Sequence, residues 1–161
     1  LHFFYSEAKS KKGAFITSDR NGVIFYFPQH RKNFSLRSFY QKVYLILFVT
    51  GIKNGMRCLK YQRLIKKIRP KTGWVATLLA CDSSHNGIKT AFEIKQEVFQ
   101  LADVEMEMIY AETTSPRAKI LYEISGYELY HSAKHPYADL TIWFYRRYPY
   151  SYSQPNYKNI A

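Results

Sequence analysis

The polar turn at residues 82–87 is the part of this sequence best suited to bind a ligand. It follows the apolar run at 74–81 and precedes a helical pattern that begins near Lys89. Where a parallel strand passes into a helix, the first backbone N–H groups of the helix lack partners and the helix dipole is positive. Such a turn binds anions such as phosphates. With Gly87 as its one glycine, it is neither a P-loop nor a dinucleotide-binding motif.

The positions of the histidines and cysteines in the sequence do not indicate a metal site. His131, His135 and Asp139 follow one another at spacings of four residues, as metal ligands often do. Pro136 and the strand pattern around them keep the three from sharing one helical face. The two cysteines form neither a disulfide framework nor a zinc site. We expect Cys81, in its apolar run, to be an inert small hydrophobe.

The elements that must position the turn follow from the spacing of apolar residues. Strands are predicted at 13–18, 23–27, 74–81, 106–113, 127–132 and 140–147, and helices at 38–49, 56–68, 89–101 and 116–125. The first two strands form a hairpin because Asn21-Gly22 supplies positive φ in the turn between them. Ser115 is the predicted N-cap of the last helix, with Pro116 in its first turn and Gly126 after its end.

The order of these elements predicts an α/β (α+β) fold with a mixed sheet and helices on its faces. The strand–helix–strand unit at 74–113 requires a right-handed parallel crossover, and the last two strands form an antiparallel pair. The strand at 74–81 is expected to be a buried central strand, since it is almost entirely apolar. The expected core residues of the last two helices are Ala91, Phe92, Val98, Phe99, Leu101, Ile120, Leu121 and Ile124.

The positive charge lies in the first half of the chain. The chain has 161 residues and a formal net charge of +12, from 24 Lys+Arg and 12 Asp+Glu. Residues 1–73 contain 16 of the basic and 2 of the acidic residues, a balance of +14, and the rest of the chain balances at −2. The basic half is either a solvated surface that keeps the protein in solution or a surface for an anionic partner such as nucleic acid.

Two segments resemble the GNAT N-acetyltransferase superfamily. Residues 74–83, WVATLLACDS, are similar to the family's fourth strand, and residues 86–91, NGIKTA, fall on its acyl-CoA pyrophosphate loop. Residues 112–127, ETTSPRAKILYEISGY, resemble the segment often written E-T-S-N-P-R-x-x-x-F-Y-E-x-x-G-F. The resemblance covers about 74–147. It implies a twisted, mostly antiparallel sheet with helices on both faces, whose two central parallel strands splay apart.

The resemblance also implies a reaction and its residues. Acetyl-CoA would donate its acetyl group to an amine, and no metal would be needed. Glu112 would be the base candidate, and Tyr122 would protonate the departing thiolate. The implied cofactor-binding residues are Leu79, Ala80, Cys81, Asn86, Gly87, Ile88, Lys89, Thr90, Ala91 and Ser115. The backbone at 79–81 would also polarise the acyl carbonyl.

The sequence departs from the family pattern at the pyrophosphate loop. Asn86 replaces the usual Gln or Arg, Lys89 replaces a glycine, and Ser115 replaces an asparagine. Lys89 would obstruct the loop if this position needs positive φ, or its ammonium group would contact the phosphate itself. The alternative is therefore a non-catalytic GNAT-like module whose basic half binds an anionic partner.

The remaining expectations concern the chain as a whole. We expect one domain at 1–147, lacking the family's first strand and helices, and a flexible tail at 148–161. The longest apolar run, at 43–52, is half the roughly 20 residues of a membrane span, so we expect no membrane partner. Because the two cysteines make no disulfide framework, we expect a reducing, cytoplasmic compartment. The acceptor would be a small-molecule or peptide amine; the oligomeric state is open.

Overall fold

A six-stranded sheet organises the structure, a computed structural model that describes residues 13–29, 40, 44, 51–82 and 87–150. Its strands are β1 (Ala14–Ile16), β2 (Gly22–Pro28), β3 (Trp74–Cys81), β4 (Ile109–Thr113), β5 (Glu128–Lys134) and β6 (Thr141–Arg147). The helices whose bounds lie within these described ranges are α1 (Ile52–Ile68), α2 (Gly87–Val104) and α3 (Pro116–Ile124). The strand order is β1-β2-β3-β4-β6-β5; β3 and β4 are parallel, and the other neighbours are antiparallel. This confirms the predicted mixed, mostly antiparallel sheet.

Helices cover both faces of the sheet, because side chains on a strand alternate between its two faces. On β6, Tyr145 packs with Ile94 and Val98 of α2, and we call this side the α2 face. Its neighbour Phe144 packs with Ile65 of α1 on the opposite side, the α1 face. The sequence predicted helices on both faces, and the structure confirms it.

The β1–β2 hairpin forms as predicted, but a different residue makes its turn. Arg20 has the positive φ, 60°, and not Asn21-Gly22. The Asp19 carboxylate accepts a hydrogen bond from the backbone N–H of Asn21 at 3.0 Å, and Thr17 Oγ1 accepts one from that of Gly22 at 2.8 Å. These bonds offset the strain of a left-handed arginine.

The buried face of α2 differs from the prediction in one large residue. Ile94, Val98 and Ala102 are fully buried and form a stripe at four-residue spacing. Phe92, predicted to be in the core, is 52% exposed. The tertiary fold therefore selects a neighbouring stripe of the same helix.

The predicted core face of α3 is wrong. The helix begins as expected, because Ser115 Oγ accepts a hydrogen bond from the N–H of Ala118, and Gly126 has a φ of +81° after the helix. Three large residues predicted to be buried are instead exposed: Ile120, Leu121 and Ile124. This nine-residue helix packs through Tyr122 instead.

Some predicted elements fall on other parts of the chain. The helix predicted at 38–49 lies outside the described residues except for Tyr40 and Tyr44, which are helical. Of the predicted tail, Pro149 is buried and the Tyr150 N–H donates to Asp103 of α2, while 151–161 lie outside the described residues. Within the described ranges, no helix is both long and apolar enough to cross a membrane.

Candidate active site

A gap between the two parallel strands is the main feature of the site. β3 and β4 pair at only two positions, Trp74 with Ile109 and Val75 with Tyr110. Beyond them β3 continues to Cys81 along β2, while β4 continues to Thr113 along β6. The side of β3 that faces β4 therefore presents backbone N–H and C=O groups that β4 does not pair.

A β-bulge bends β3 at the point where the gap opens. The β2–β3 register moves from Phe25–Leu78 to Tyr26–Ala76, so that Thr77 is the extra residue. A bulge bends the strand that contains it and increases its twist. The sequence predicted that all of β3 would be a buried central strand. Its second half is not buried: Leu79 is 46% exposed, and Ala80 is also exposed.

The N-terminus of α2 packs directly against the far end of β3. A Cβ added to Gly87 would lie 3.0 Å from the backbone oxygen of Asp82, which leaves room for little beyond glycine. Thr90 is buried, and a Cβ added to Gly22 of β2 would lie 2.7 Å from its Cγ2 and 3.5 Å from the sulfur of Cys81. The unpaired N–H groups of the first helical turn thus lie beside the exposed half of β3, where they can bind an anion.

The backbone of Lys89 can accommodate a side chain. Lys89 lies in the first turn of α2 with an ordinary helical φ, so the condition under which the sequence predicts that it obstructs the loop, a positive φ, is not met. Its side chain is 70% exposed and lies 3.7 Å from Glu93. An exposed ammonium group beside a helix N-terminus can reach a phosphate. Asn86, like the rest of 83–86, lies outside the described residues, and so does the side chain of Ile88.

Tyr122 lies on the α2 face, next to β4. Its ring centroid is 5.2 Å from that of Tyr127 and 5.5 Å from that of Tyr145, which is paired with Ala111 of β4. Burial raises the pKa of the Tyr122 hydroxyl above its ordinary value of 10. The phenol therefore keeps its proton at neutral pH, as a proton donor must. The Ser115 hydroxyl, close by in sequence, is engaged as the N-cap of α3.

Glu112 forms an ion pair with Arg69, which the sequence analysis did not single out. Glu112 and Tyr110 lie on the same face of β4, and the gap opens after Tyr110. Both side chains of the ion pair are more than four fifths buried. Burial also lowers the pKa of Arg69, and its Nε is buried without a hydrogen-bond partner. No local signal marks Arg69, since it ends a helix that is already rich in arginine and lysine.

The other candidate groups do not assemble. Burial, together with the nearby Asp19 carboxylate, raises the pKa of the Cys81 thiol, which disfavours a thiolate nucleophile. His135 Nδ1 accepts a hydrogen bond from the N–H of Tyr137. Across the described residues, no group of three or more His, Cys, Asp or Glu side chains is arranged to hold a metal ion.

Comparison with known proteins finds similarity in structure alone. Neither the family models nor the curated proteins include a match. Among solved structures, the polyamine N-acetyltransferase of Drosophila melanogaster, which forms N-acetylagmatine, has a TM-score of 0.58 at 13% identity, covering 91% of this chain and 79% of that one. The C-terminal condensation domain of Ebony, bound to β-alanyl-dopamine, has a TM-score of 0.59 at 11% identity, covering 92% and 78%.

A third match is a GNAT-family acetyltransferase of Desulfovibrio desulfuricans. It has a TM-score of 0.50 at 13% identity, and this chain spans 64% of its length. At such identities the likeness concerns the arrangement of the backbone. Together with the splayed parallel strands and the helices on both faces, it establishes that this chain has the GNAT N-acetyltransferase fold.

Proposed function

We propose that this protein transfers an acetyl group from acetyl-CoA to an amine. The gap between β3 and β4 is the observation that carries the proposal. A gap in the middle of a sheet exposes a row of backbone donors and acceptors, and an extended chain with amide groups can bind there as an added strand does. The pantetheine arm of CoA is such a chain.

The residues around the gap suit the parts of this donor. The backbone of Leu79, Ala80 and Cys81 would bind the pantetheine amides and polarise the thioester carbonyl. The first turn of α2 would bind the pyrophosphate through its N–H groups, with Lys89 adding a positive charge. In this proposal the backbone N–H groups of Asn86, Gly87 and Ile88 supply the rest of the phosphate site. Thr90 and Ala91, whose N–H groups bond within the helix, complete its first turn beside the phosphates.

The chemistry needs one group to accept a proton and another to donate one. The neutral amine attacks the thioester carbon, so that a C–N bond forms and the C–S bond then breaks. The nitrogen loses a proton to the Glu112 carboxylate or to an ordered water, and Tyr122 protonates the departing thiolate. The Tyr122 phenol is then reprotonated from solvent. A tyrosine phenol is protonated at neutral pH, as this role requires, and burial raises the pKa of Tyr122 further.

The acceptor in this proposal is a small amine. Two of the structural neighbours are described with small amine-derived molecules, N-acetylagmatine and β-alanyl-dopamine. The Arg69–Glu112 ion pair lies on the α1 face, opposite α2, so an acceptor could reach the gap without crossing the donor's site. The ion pair as a whole adds no net charge there, because Arg69 compensates the Glu112 carboxylate.

Two measurements test the proposal. Acetyl-CoA at 100 times its dissociation constant should raise the free energy of unfolding by about 2.7 kcal/mol, seen as a higher melting temperature. Release of free CoA, followed by a thiol reagent, should depend on an added amine. No thermal shift at millimolar acetyl-CoA would overturn the proposal; a shift without turnover over a broad amine panel would instead favour a non-catalytic acyl-CoA-binding module.

A further inference from the structure

The outer surface of α1 is strongly cationic. Its 17 residues include six basic side chains, all exposed, and no acidic residue: Lys53, Arg57, Lys60, Arg63, Lys66 and Lys67. At 3.6 residues per turn these side chains occupy roughly half of the helix circumference, on the side away from Ile65. They extend along about 21 Å of the helix axis.

Nearby acids do not neutralise this surface. On β4, Glu112 is paired with Arg69, and on β5, Glu128 lies 3.7 Å from Arg146. Asp139, in the β5–β6 loop, is exposed, and against the six basic residues of α1 it leaves a balance of +5. Six of the nine basic residues that the structure describes in the first half therefore lie on one stripe, which attracts polyanions.

Aromatic side chains line the same stripe. The guanidinium carbon of Arg57 lies 5.6 Å from the ring centroid of Tyr137, which is 41% exposed. The rings of Tyr61 and His135 are 4.9 Å apart, and the ring of His135 also contacts that of Tyr137. The β5–β6 loop thus presents rings beside the cations, the combination that binds single-stranded nucleic acids through stacked bases and phosphates.

The packing of α1 argues against a lipid surface. A helix that binds a bilayer inserts an apolar face into it. The apolar face of α1, Leu64, Ile65 and Ile68, is instead packed on Phe144 and Ile142 of β6. The outer surface has the six basic side chains and two exposed apolar residues, Ile52 and Met56, at one end of the helix, which do not form an apolar face along it. This surface suits a soluble polyanion.

We propose that α1 and the β5–β6 loop, here called the cationic stripe, bind single-stranded nucleic acid. The phosphates would contact lysines and arginines that recur every three or four residues, and unpaired bases would stack on Tyr137. The stripe lies on the α1 face, whereas the proposed phosphate site of the donor lies on the α2 face. Binding at the stripe uses neither the donor's phosphate site nor Glu112, and oligonucleotide binding and acetyl transfer are measured separately, so either proposal can fail alone.

The test measures binding of fluorescent 20-nucleotide oligo(rU) and oligo(dT) to the full chain by anisotropy between 50 and 300 mM salt. If about six phosphates are contacted, the slope of log K against log salt should be about −4. Replacing Lys60, Arg63 and Lys67 together by Gln should reduce the slope to about −2.

The matched control is the triple variant Arg117→Gln, Lys119→Gln and Lys134→Gln, which removes the same charge from α3 and β5. It should bind the oligonucleotides as the unaltered chain does, and both triple variants should keep their melting temperature. An equal loss of oligonucleotide affinity in the two triple variants would overturn the proposal. So would the absence of oligonucleotide binding by the unaltered chain at 50 mM salt.

Two further arms separate the ligand classes. Tyr137→Ala should weaken oligonucleotide binding about tenfold but leave heparin binding unchanged, because heparin has no bases, and Tyr137→Phe should restore oligonucleotide affinity. Stronger binding to vesicles containing phosphatidylserine than to either oligonucleotide, lost in the α1 variant, would reject nucleic acid as the partner and identify a membrane surface.

Discussion

Arg69 and Glu112 form an ion pair that ties the end of α1 to β4 at the opening of the gap. The pair is mostly buried, so each charge depends on the other for compensation. If Glu112 accepts the amine proton, Arg69 is a positioning residue that holds the carboxylate in place.

Removing one partner of this ion pair should lower the free energy of unfolding more than removing both partners does. We expect Arg69→Met to destabilise the fold by about 3 kcal/mol, since it leaves a buried carboxylate unpaired. The double variant Arg69→Met with Glu112→Gln should recover part of that loss. Urea unfolding of the four proteins gives the coupling energy, and additive losses would show that the pair is not coupled. Arg69→Lys should recover kcat only in part, because a lysine lacks the planar guanidinium group.

Tyr122→Phe should lower kcat by roughly a hundredfold and leave KM for acetyl-CoA nearly unchanged, because it removes a proton donor used in the transition state. Tyr150→Phe, on an exposed tyrosine, is the matched control and should keep full activity. An unchanged kcat in the Tyr122 variant would remove Tyr122 from the mechanism.

The pH profile supplies an independent check of Tyr122. A proton donor loses activity as pH rises through its pKa, and burial raises the pKa of Tyr122 above 10. Loss of the donor's proton should therefore cause no fall in kcat below about pH 10. An alkaline limb that lies below this pH and disappears in Tyr122→Phe would contradict the raised pKa.

Lys89→Ala should weaken acetyl-CoA binding about tenfold, the loss of one charge-assisted contact to a phosphate. Lys119→Ala is a close control, because Lys119 also lies 3.7 Å from a glutamate one turn further along its helix. Isothermal calorimetry measures both. Tighter binding in a Lys89→Gly variant would show that the side chain obstructs the site.

The contact of Gly22 with Thr90 offers a steric test of the α2 N-terminus. Gly22→Ala places a Cβ 2.7 Å from Thr90 Cγ2, so α2 must shift and acetyl-CoA binding should weaken. Thr90→Ser removes that methyl group, and the double variant should regain affinity. If Gly22→Ala and the double variant bind acetyl-CoA with the same affinity, that affinity does not depend on the contact between positions 22 and 90.

Asp103 links α2 to β6 and should make stability depend on pH. It accepts two hydrogen bonds from Arg147, both 2.8 Å long, and these lower the pKa of Asp103. A lowered pKa means that the stabilisation is present above the unfolded value of about 4 and is lost as pH falls through the folded value. Asp103→Asn should lower the free energy of unfolding by about 2 kcal/mol at pH 7. The difference in unfolding free energy between the two proteins, measured by urea unfolding, should shrink below about pH 4.

The order and type of most elements could be predicted from local pattern. The run at 74–81 is a strand with the predicted ends, and Ser115, Pro116 and Gly126 mark the ends of α3 as expected. The core faces of the helices could not be predicted as well. α2 buries Ile94 where Phe92 was expected, and α3 leaves Ile124 exposed, because each helix has apolar residues on more than one side and only its neighbours decide which side is buried.

The sequence by itself determined the mixed sheet, its parallel crossover and the location of the positive charge, since each depends on residues close together in the chain. Only the tertiary structure decided the opening between β3 and β4, because it depends on the bulge at Thr77 and on the separate partners that β2 and β6 provide. It also decided the pairing of Arg69 with Glu112, 43 residues apart, which no local periodicity encodes. Packing between distant segments therefore makes the candidate site out of locally predictable elements.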